Sequence, residues 1–470
     1  MSTKLELFDN MKRFQLQVER YGINRKQRLK TKFAYLILIA AMAFAPQVLL
    51  AQGSFIAGAD MSFLAYYESS LGIVYKDNGV TEDALQILKN RGINCIRLRL
   101  YTSSPAQAQA DPYDYINNTN YTIPLAVRVK NAGLKFCLDF HYSDTWADAG
   151  HQAMPAAWFN LNFSQTVQQM YTYNSNTIAA FAAAGAMPDY VQVGNEITQG
   201  MLYTNSAGAT IGMVSGSYNT SWNQLGQLMK AAVQGIQDAA NAAGEPMPKI
   251  IVHIDRGGDW STTEWFFDNL TYQGVPFDII GESYYPFYHG PLTNAATCLD
   301  NAAQRYSKPI FIAETDFPWG NSTNIYGIPA STNGQVQYIV ALAQVVKSVP
   351  NNLGAGIFWW GTEYQVPGAN TAGFGYRSFF GSDANVLPAA DAWGQTAAPI
   401  DLNAGLTPPA GLLLQWPLSG AGMSLMTTTS LVPPAVWFPV TNPIQNTGTV
   451  FNVTLPLDST QSRFYRLQSN

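Results

Sequence analysis

Two glutamates that follow short apolar runs are the residues of this chain best suited to chemistry. Glu196 lies in Val191-Gln-Val-Gly-Asn-Glu-Ile197, and Glu314 lies in Pro309-Ile-Phe-Ile-Ala-Glu-Thr315. Such runs are typical of buried parallel strands, and catalytic groups in α/β barrels stand at the C-terminal ends of the strands. Two carboxylates there suit glycosidic bond cleavage, in which one group donates a proton and the other attacks the sugar carbon. One glutamate alone would be weak evidence, but the Asn195-Glu196 pair with a second glutamate three strands later is specific.

A repeated pattern of apolar runs and helical stretches predicts the elements that hold these residues. The predicted strands are Phe55–Met61, Cys95–Tyr101, Lys135–Tyr142, Tyr190–Ile197, Lys249–Asp255, Asp278–Tyr285, Pro309–Asp316 and Ala355–Glu363. The predicted helices include Thr81–Asn90, with Thr81-Glu-Asp83 as its N-cap segment, and Ile123–Asn131, Ser164–Ala184, Ser221–Ala243, Thr293–Tyr306 and Gly334–Ser348. Eight βα units over about 350 residues predict an α/β fold of the (β/α)8 TIM barrel type. A doubly wound sheet is the alternative, but no Gly-x-Gly-x-x-Gly follows the first strand, so nucleotide binding has no support.

The two ends of the chain differ from the barrel segment. A basic stretch, Arg25–Lys32, and the apolar run Phe33–Leu50 predict a secretory signal peptide over residues 1–51. The apolar run is near spanning length, so an uncleaved membrane anchor is the alternative. Short β-prone runs punctuated by Pro pairs follow Leu402. We therefore expect a catalytic domain over residues 52–402 and a small, β-sandwich-like, all-β module over residues 403–470.

Composition excludes several classes of function. Residues 1–51 hold nine of the 26 Lys and Arg and three of the 31 Asp and Glu, so the remainder carries a formal net charge of −11. An acidic chain without a basic stripe argues against nucleic acid as a partner. Cys95, Cys137 and Cys298 fall inside predicted elements and are interpreted as buried thiols. No Cys or His spacing suggests a metal site, and we expect neither a metal nor a cofactor.

A series of short motifs along the barrel segment carries a resemblance to a known family. The motifs are Gly58-Ala-Asp-Met-Ser62, Ile96-Arg-Leu-Arg-Leu100, Asp139-Phe-His-Tyr-Ser-Asp-Thr-Trp-Ala-Asp148, Val193-Gly-Asn-Glu-Ile197, His253-Ile-Asp255, Ser283-Tyr-Tyr-Pro-Phe287, and Ala313-Glu-Thr315 with Pro318-Trp319. In this order they resemble glycoside hydrolase family 53, the arabinogalactan endo-β-1,4-galactanases of clan A. The resemblance runs from Phe55 to about Trp393.

The resemblance implies a mechanism and a set of roles. Glu196 would be the acid/base and Glu314 the nucleophile of a retaining double displacement, with carboxyls about 5–5.5 Å apart. The pKa of Glu196 should be raised, while Glu314 should stay ionised beside a cation. Arg97 and Arg99 share one strand face, and Arg99 is the expected cation, with structural ion pairs as the alternative for both. The residues expected to bind substrate are Asn195, Arg99, Asp139, His141, Tyr285 and Trp360.

Several of these roles have plainer alternatives. His141 is either close to the sugar or an ordinary core histidine, and the weaker candidates for stacking platforms are as consistent with packing: Trp146, Trp319, Tyr142 and Tyr203. Tyr101 and Tyr203 stand where the family usually has Trp, and Gly361 stands where it usually has Glu, with Glu363 as a substitute. By alternation Glu282 should point toward the helices as a buried, paired group. The loop Asn321–Tyr326 has no carboxylate and is a poor calcium site.

The function that follows is a secreted or periplasmic, monomeric endo-β-1,4-galactanase without stable membrane association. Its substrate would be the β-1,4-galactan of type I arabinogalactan in pectin side chains. The alternatives are a clan A retaining glycosidase that acts on another β-linked glycan, and a non-catalytic glycan-binding protein.

Overall fold

The computed structural model describes residues 55–214, 216, 220–320, 323–364, 375–397, 400–408, 411–420, 423–431, 435–457 and 462–469. The predicted signal peptide and its apolar run lie outside these residues. Within the described ranges, no helix is both long enough and apolar enough to cross a membrane.

Eight parallel strands form a closed barrel, which confirms the predicted fold class. The strands are β1 (Ile56–Asp60), β2 (Cys95–Leu100), β3 (Lys135–Phe140), β4 (Tyr190–Val193), β5 (Lys249–Ile254), β6 (Ile279–Ser283), β7 (Ile310–Thr315) and β8 (Gly354–Trp359). Each strand pairs with the next along the chain, and β8 closes the barrel against β1. Each strand ends one to four residues before its predicted end. The polar residues that follow have left the ladder and form the loops at the C-terminal end of the barrel.

Helices separate most of the strands. They are α1 (Leu64–Ser70), α2 (Ala84–Asn90), α3 (Pro105–Ala110), α4 (Pro112–Tyr115), α5 (Thr119–Asn131), α6 (Phe163–Ala183), α7 (Thr220–Ala243), α8 (Trp260–Tyr272), α9 (Pro286–His289), α10 (Leu292–Tyr306), α11 (Thr332–Lys347) and α12 (Pro388–Gln395). The predicted N-cap segment Thr81-Glu-Asp83 contains the cap, because the Asp83 carboxylate accepts hydrogen bonds from the Leu85 and Gln86 N–H groups, although the helix begins three residues after its predicted start. Helix α8 was not predicted, since its aromatic run obscures the helical period, although Asp259 caps it.

The barrel interior changes from apolar to polar along the strands. An apolar layer closes the N-terminal end, formed by buried residues of seven strands including Cys95, Cys137 and Ile251. Two residues further along the same strands, on the same face, stand Arg97, Asp139 and His253. The fold therefore directs its buried charges to the C-terminal end of the barrel.

The C-terminal segment forms two small antiparallel sheets. Its strands are β9 (Asn403–Thr407), β10 (Gly411–Pro417), β11 (Met423–Thr428), β12 (Phe438–Pro439), β13 (Gln445–Asn446), β14 (Val450–Pro456) and β15 (Phe464–Ser469). One sheet has the order β9-β10-β14-β13 and the other the order β12-β11-β15, around a core that includes Leu414, Trp416 and Val453. The segment contacts the barrel through a hydrogen bond from Lys347 Nζ in α11 to the carbonyl of Ser419.

The three cysteines are buried and free, as predicted, and none has a disulfide partner.

Candidate active site

A cavity of about 610 Å³ lies at the C-terminal end of the barrel, and both predicted glutamates line it. Glu196 reaches it from a sharp turn that follows β4. Gly194 has φ of 89° and Glu196 itself has φ of 48°, a left-handed conformation that is uncommon for a residue with a side chain. A Cβ at Gly194 would lie 2.6 Å from Ile197, so the turn requires glycine there. Strained backbone of this kind is concentrated at functional sites.

Glu196 is surrounded by neutral donors and by negative charge. The Ser283 hydroxyl, at the end of β6, donates a hydrogen bond of 2.6 Å to Glu196 Oε1. Burial raises the pKa of Glu196 well above its usual range, and the charges of Glu314 and Asp255 raise it further. The carboxyl is therefore held in its protonated form at a higher pH than an ordinary glutamate.

Glu314 has the opposite surroundings. The residue is 6% exposed, and its carboxylate forms an ion pair of 2.8 Å with Arg97 Nη2, while the Tyr285 hydroxyl donates to Oε2 at 2.9 Å. Burial raises the pKa of Glu314, and the positive charge of Arg97 opposes that rise. Tyr285, which the resemblance placed among the substrate-binding residues, therefore also contacts Glu314 directly.

The prediction that Arg99 supplies the cation beside Glu314 is wrong, because Arg97 makes that ion pair. Arg99 lies two residues further along β2 than Arg97. Its guanidinium lies 4.2 Å from the ring of Trp146 and 4.9 Å from that of Phe63, in a cation–π arrangement. Arg99 still lines the cavity.

Arg97 is the centre of a buried polar network that the sequence did not reveal. Its Nη1 lies 3.0 Å from Asp60 Oδ2, and its Nη2 lies 2.8 Å from Asp139 Oδ2. Gln192 accepts hydrogen bonds from Arg97 and donates to Asp139 Oδ1 at 2.5 Å. Burial would raise the pKa of Asp139, but Arg97 and then His141 outweigh it, and the pKa is lowered. Asp139 therefore supports other residues rather than lining the cavity.

Asn195 and His141 line the cavity in fixed orientations. Asn195 donates from Nδ2 to the carbonyl of Ala147 at 2.8 Å and accepts from Arg97 at 2.8 Å. His141 Nδ1 accepts from the Ala147 N–H at 2.8 Å, so its Nε2 carries the hydrogen that faces Asp139. Both alternatives for His141 therefore hold together, since it is satisfied by its neighbours and it lines the cavity.

The aromatic candidates divide into two groups. Trp360 and Trp146 line the cavity, and their ring centroids lie 6.3 Å apart. Tyr142 is buried and donates to Asn174, and Trp319 packs against Tyr376. These two rings are therefore in packing positions.

The residues that depart from the family pattern are not among the described residues that line the cavity. Tyr101 is buried edge-on against His141, and Tyr203 donates to the carbonyl of Ala149; neither is among the described residues that line the cavity. Glu363 accepts from the backbone N–H of Phe63 and is also absent from that lining, so it does not replace the family's carboxylate at Gly361.

Glu282 points toward the helices, as alternation predicted. It is fully buried, and it accepts hydrogen bonds from the Thr263 hydroxyl in α8 at 3.0 Å and from the Arg256 N–H at 3.1 Å.

Further cavity residues were not predicted, although their positions follow from the strands. Asp316 is two residues beyond Glu314, and its Oδ2 accepts from Arg377 Nη1 at 3.1 Å. Burial raises the pKa of Asp316 to about 6, while Arg377 opposes the rise. Asp255 is two residues beyond His253, and Tyr288 stands exposed at the cavity mouth. The period of two along a strand could have found both aspartates.

Two carboxyl groups in one cavity at the C-terminal end of a (β/α)8 barrel, one with a strongly raised pKa and one paired with an arginine, define a glycoside hydrolase. Residues 56–393 match the model of glycosyl hydrolase family 53, and the chain belongs to that family.

Known proteins agree with this assignment. A protein of Niallia circulans is 38% identical over 327 residues, which is 66% of this chain and 84% of that protein. An arabinogalactan endo-β-1,4-galactanase of Humicola insolens is 35% identical over 307 residues, 62% of this chain and 85% of the enzyme. The solved family 53 catalytic domain of Ignisphaera aggregans is 32% identical with a TM-score of 0.64, and the match covers 74% of this chain and 97% of that domain.

Proposed function

We propose that the protein is an endo-β-1,4-galactanase that hydrolyses β-1,4-galactan, the backbone of type I arabinogalactan in pectin side chains. The activity carried by the name of the Humicola insolens relative supports this substrate. The cavity is open enough for a polymer chain to enter, with the Tyr288 ring exposed at its mouth and Trp360 and Trp146 within. We further propose that the enzyme is exported by the signal peptide at residues 1–51 and acts as a monomer.

The proposed mechanism is a double displacement with retention of configuration. Glu314 attacks the anomeric carbon while Glu196 donates its proton to the leaving oxygen, and a glycosyl–enzyme ester forms. Glu196 then removes a proton from water, which cleaves the ester. The observation that carries this assignment of roles is the difference between the surroundings of the two glutamates. The pKa of Glu196 is raised well above its usual range, whereas Glu314 is paired with Arg97 and Tyr285.

The protein beginning at Gln52 tests this proposal on linear β-1,4-galactan. We expect rapid release of short galacto-oligosaccharides, whose newly formed ends carry the β configuration in proton NMR spectra recorded at once. Glu196→Ala and Glu314→Ala should both abolish release. On the 2,4-dinitrophenyl β-glycoside of galactobiose, whose leaving group needs no proton, azide should give a β-glycosyl azide with the first variant and an α-glycosyl azide with the second, because only the first still forms the ester.

Glu282→Gln is the matched control. Glu282 lies near the end of β6, the strand beside β7, but its side chain faces the helices, so this variant should keep the activity of the wild type. Folded protein without activity on galactan would exclude this substrate. A panel of other β-linked glycans would then separate a different glycosidase from a binding protein.

A further inference from the structure

A chain of hydrogen bonds connects Glu196 to the buried polar network. Glu196 Oε1 contacts Ser283 Oγ at 2.6 Å, and Ser283 Oγ contacts His253 Nε2 at 2.8 Å. On its other side, His253 Nδ1 lies 3.0 Å from Gln192 Nε2 and 2.9 Å from Asn195 Oδ1. Ser283 and His253 are both 0% exposed, so water does not replace any of these contacts from outside.

The direction in which these hydrogen bonds are donated determines which oxygen of Glu196 carries the proton. His253 is neutral, because burial and the charge of Arg97 hold its pKa well below the usual range, so it carries one N–H. If Nε2 carries the hydrogen, it donates to Ser283, and the Ser283 hydroxyl must then donate to Glu196 Oε1. If Nδ1 carries it, Ser283 donates to Nε2 instead and can only accept from a proton on Glu196 Oε1.

Only the first direction leaves the acid ready to react. Glu196 Oε2 has no hydrogen-bond partner among the described residues, and Glu196 lines the cavity. A proton on Oε2 is therefore free to be donated to a glycosidic oxygen. A proton on Oε1 would be bound to Ser283 inside the barrel wall.

Gln192 selects between the two directions. Its Oε1 accepts from Arg97 Nε and Nη2, so the amide orientation is fixed with Nε2 toward Asp139 and His253. One hydrogen of Nε2 goes to Asp139 Oδ1 and the other points between His253 Nδ1 and Asn195 Oδ1, at 3.0 Å from each. Asn195 Oδ1, 2.9 Å from Nδ1, could accept from an Nδ1–H, but this oxygen already accepts from Arg97 Nη2 at 2.8 Å and from the same Gln192 N–H. With both lone pairs of that oxygen engaged, the amide N–H directed at Nδ1 favours the tautomer in which Nε2 carries the hydrogen.

We propose that Ser283 and His253 are positioning residues of the acid/base step, which hold the proton of Glu196 on Oε2 through the Nε2-H tautomer of His253. This inference rests on the proposed role of Glu196. It assigns a function to two neutral, buried side chains that do not themselves line the cavity. The bond that breaks in the reaction still receives its proton from Glu196 alone.

The first test compares substrates that need protonation with one that does not. Ser283→Ala should lower kcat/KM on galactan about 10–100-fold, part of the ~10²–10⁴-fold that a general acid supplies. The same variant should change kcat/KM less than about threefold on the 2,4-dinitrophenyl β-glycoside of galactobiose, whose leaving group requires no proton. His253→Gln can place an amide N–H near the position of Nε2 and should retain more activity on galactan than His253→Asn.

Thr315→Val is the matched control, because it removes another buried hydroxyl at a strand end, one that binds the Tyr284 carbonyl and the Tyr338 hydroxyl on the helix side of β7. It should leave the ratio of the two kcat/KM values unchanged. An equal loss on both substrates in Ser283→Ala would overturn the proposal and show a structural role.

The second test needs no substrate and therefore stands even if galactan is not cleaved. Imidazole ¹⁵N–¹H correlation spectra resolve the tautomer of each histidine, and the chain has four, so His253→Gln assigns the signal. The proposal predicts the hydrogen on Nε2 of His253. A hydrogen on Nδ1 would overturn it.

Discussion

Replacing Arg97 by methionine tests whether one buried cation holds the barrel interior together. Arg97 is 1% exposed and lies within 3.0 Å of three carboxylates, those of Asp60, Asp139 and Glu314. Methionine keeps most of the volume and removes the charge. All three carboxylates then face a low-dielectric interior without a cation.

The expected loss of unfolding free energy at pH 7 is about 3–5 kcal/mol, the cost of removing one partner from a buried ion pair. The loss should depend on pH. In the wild type the pKa of Asp139 is lowered, so its stabilisation is present above the unfolded pKa of about 3.9 and is lost as pH falls through the folded value. Without Arg97, burial dominates and the carboxyls bind protons more readily. The deficit of the variant should therefore be smaller at pH 5 than at pH 7.

Urea unfolding at the two pH values, followed by tryptophan fluorescence, measures both quantities. Arg128→Met is the matched control, because Arg128 also pairs with two carboxylates, Glu68 at 2.5 Å and Asp83 at 2.7 Å, but is half-buried near the surface. Such a pair contributes at most about 1 kcal/mol. If Arg97→Met loses no more than its control, or loses the same amount at both pH values, the interior does not depend on this cation.

Three further changes have defined outcomes. Tyr285→Phe removes a hydrogen bond of 2.9 Å to Glu314, worth about 1.5–3 kcal/mol for a charged acceptor, and kcat on galactan should fall about 10–100-fold without loss of thermal stability. Glu282→Gln should be more stable than wild type at pH 8 but not at pH 4 in urea unfolding, because burial raises the pKa of Glu282 and its stabilising protonated form is lost as pH rises. Trp360→Ala should raise KM for galactan about two- to tenfold, whereas Trp360→Phe should not, since ring stacking contributes about 0.5–1.5 kcal/mol.

The barrel was predictable because each strand combines a short apolar run with a polar end. The inward positions follow a period of two, so Arg97 and Arg99 could be placed on one face from the sequence. The sequence could not show which of the two arginines contacts Glu314, because that depends on how far β2 and β7 are displaced along the barrel axis. Tyr101, two residues beyond Arg99, packs edge-on against His141 and is not among the described residues that line the cavity.

Contacts between residues that are far apart in the sequence could not be predicted either. Nothing local in the sequence indicates that Ser283, the last residue of β6, contacts Glu196, or that Glu363 accepts a hydrogen bond from the N–H of Phe63. The helix α8 escaped prediction for a different reason, because tertiary packing of Phe266 and Phe267 stabilises it more than its periodicity does.

The arrangement of the barrel explains why its two glutamates have different environments. Arg97 on β2 reaches across the interior to Glu314 on β7, and there it opposes the rise in pKa that burial causes. Glu196 follows β4, its hydrogen-bond chain leads to the neutral groups Ser283 on β6 and His253 on β5, and the charge of Asp255 after β5 raises its pKa further. Hydrogen bonds from neutral groups orient a carboxyl without offsetting the cost of its charge as a cation does. Placing the arginine on β2 and neutral groups beside β4 therefore separates the two pKa values within one cavity, which is the difference that an acid and a nucleophile require.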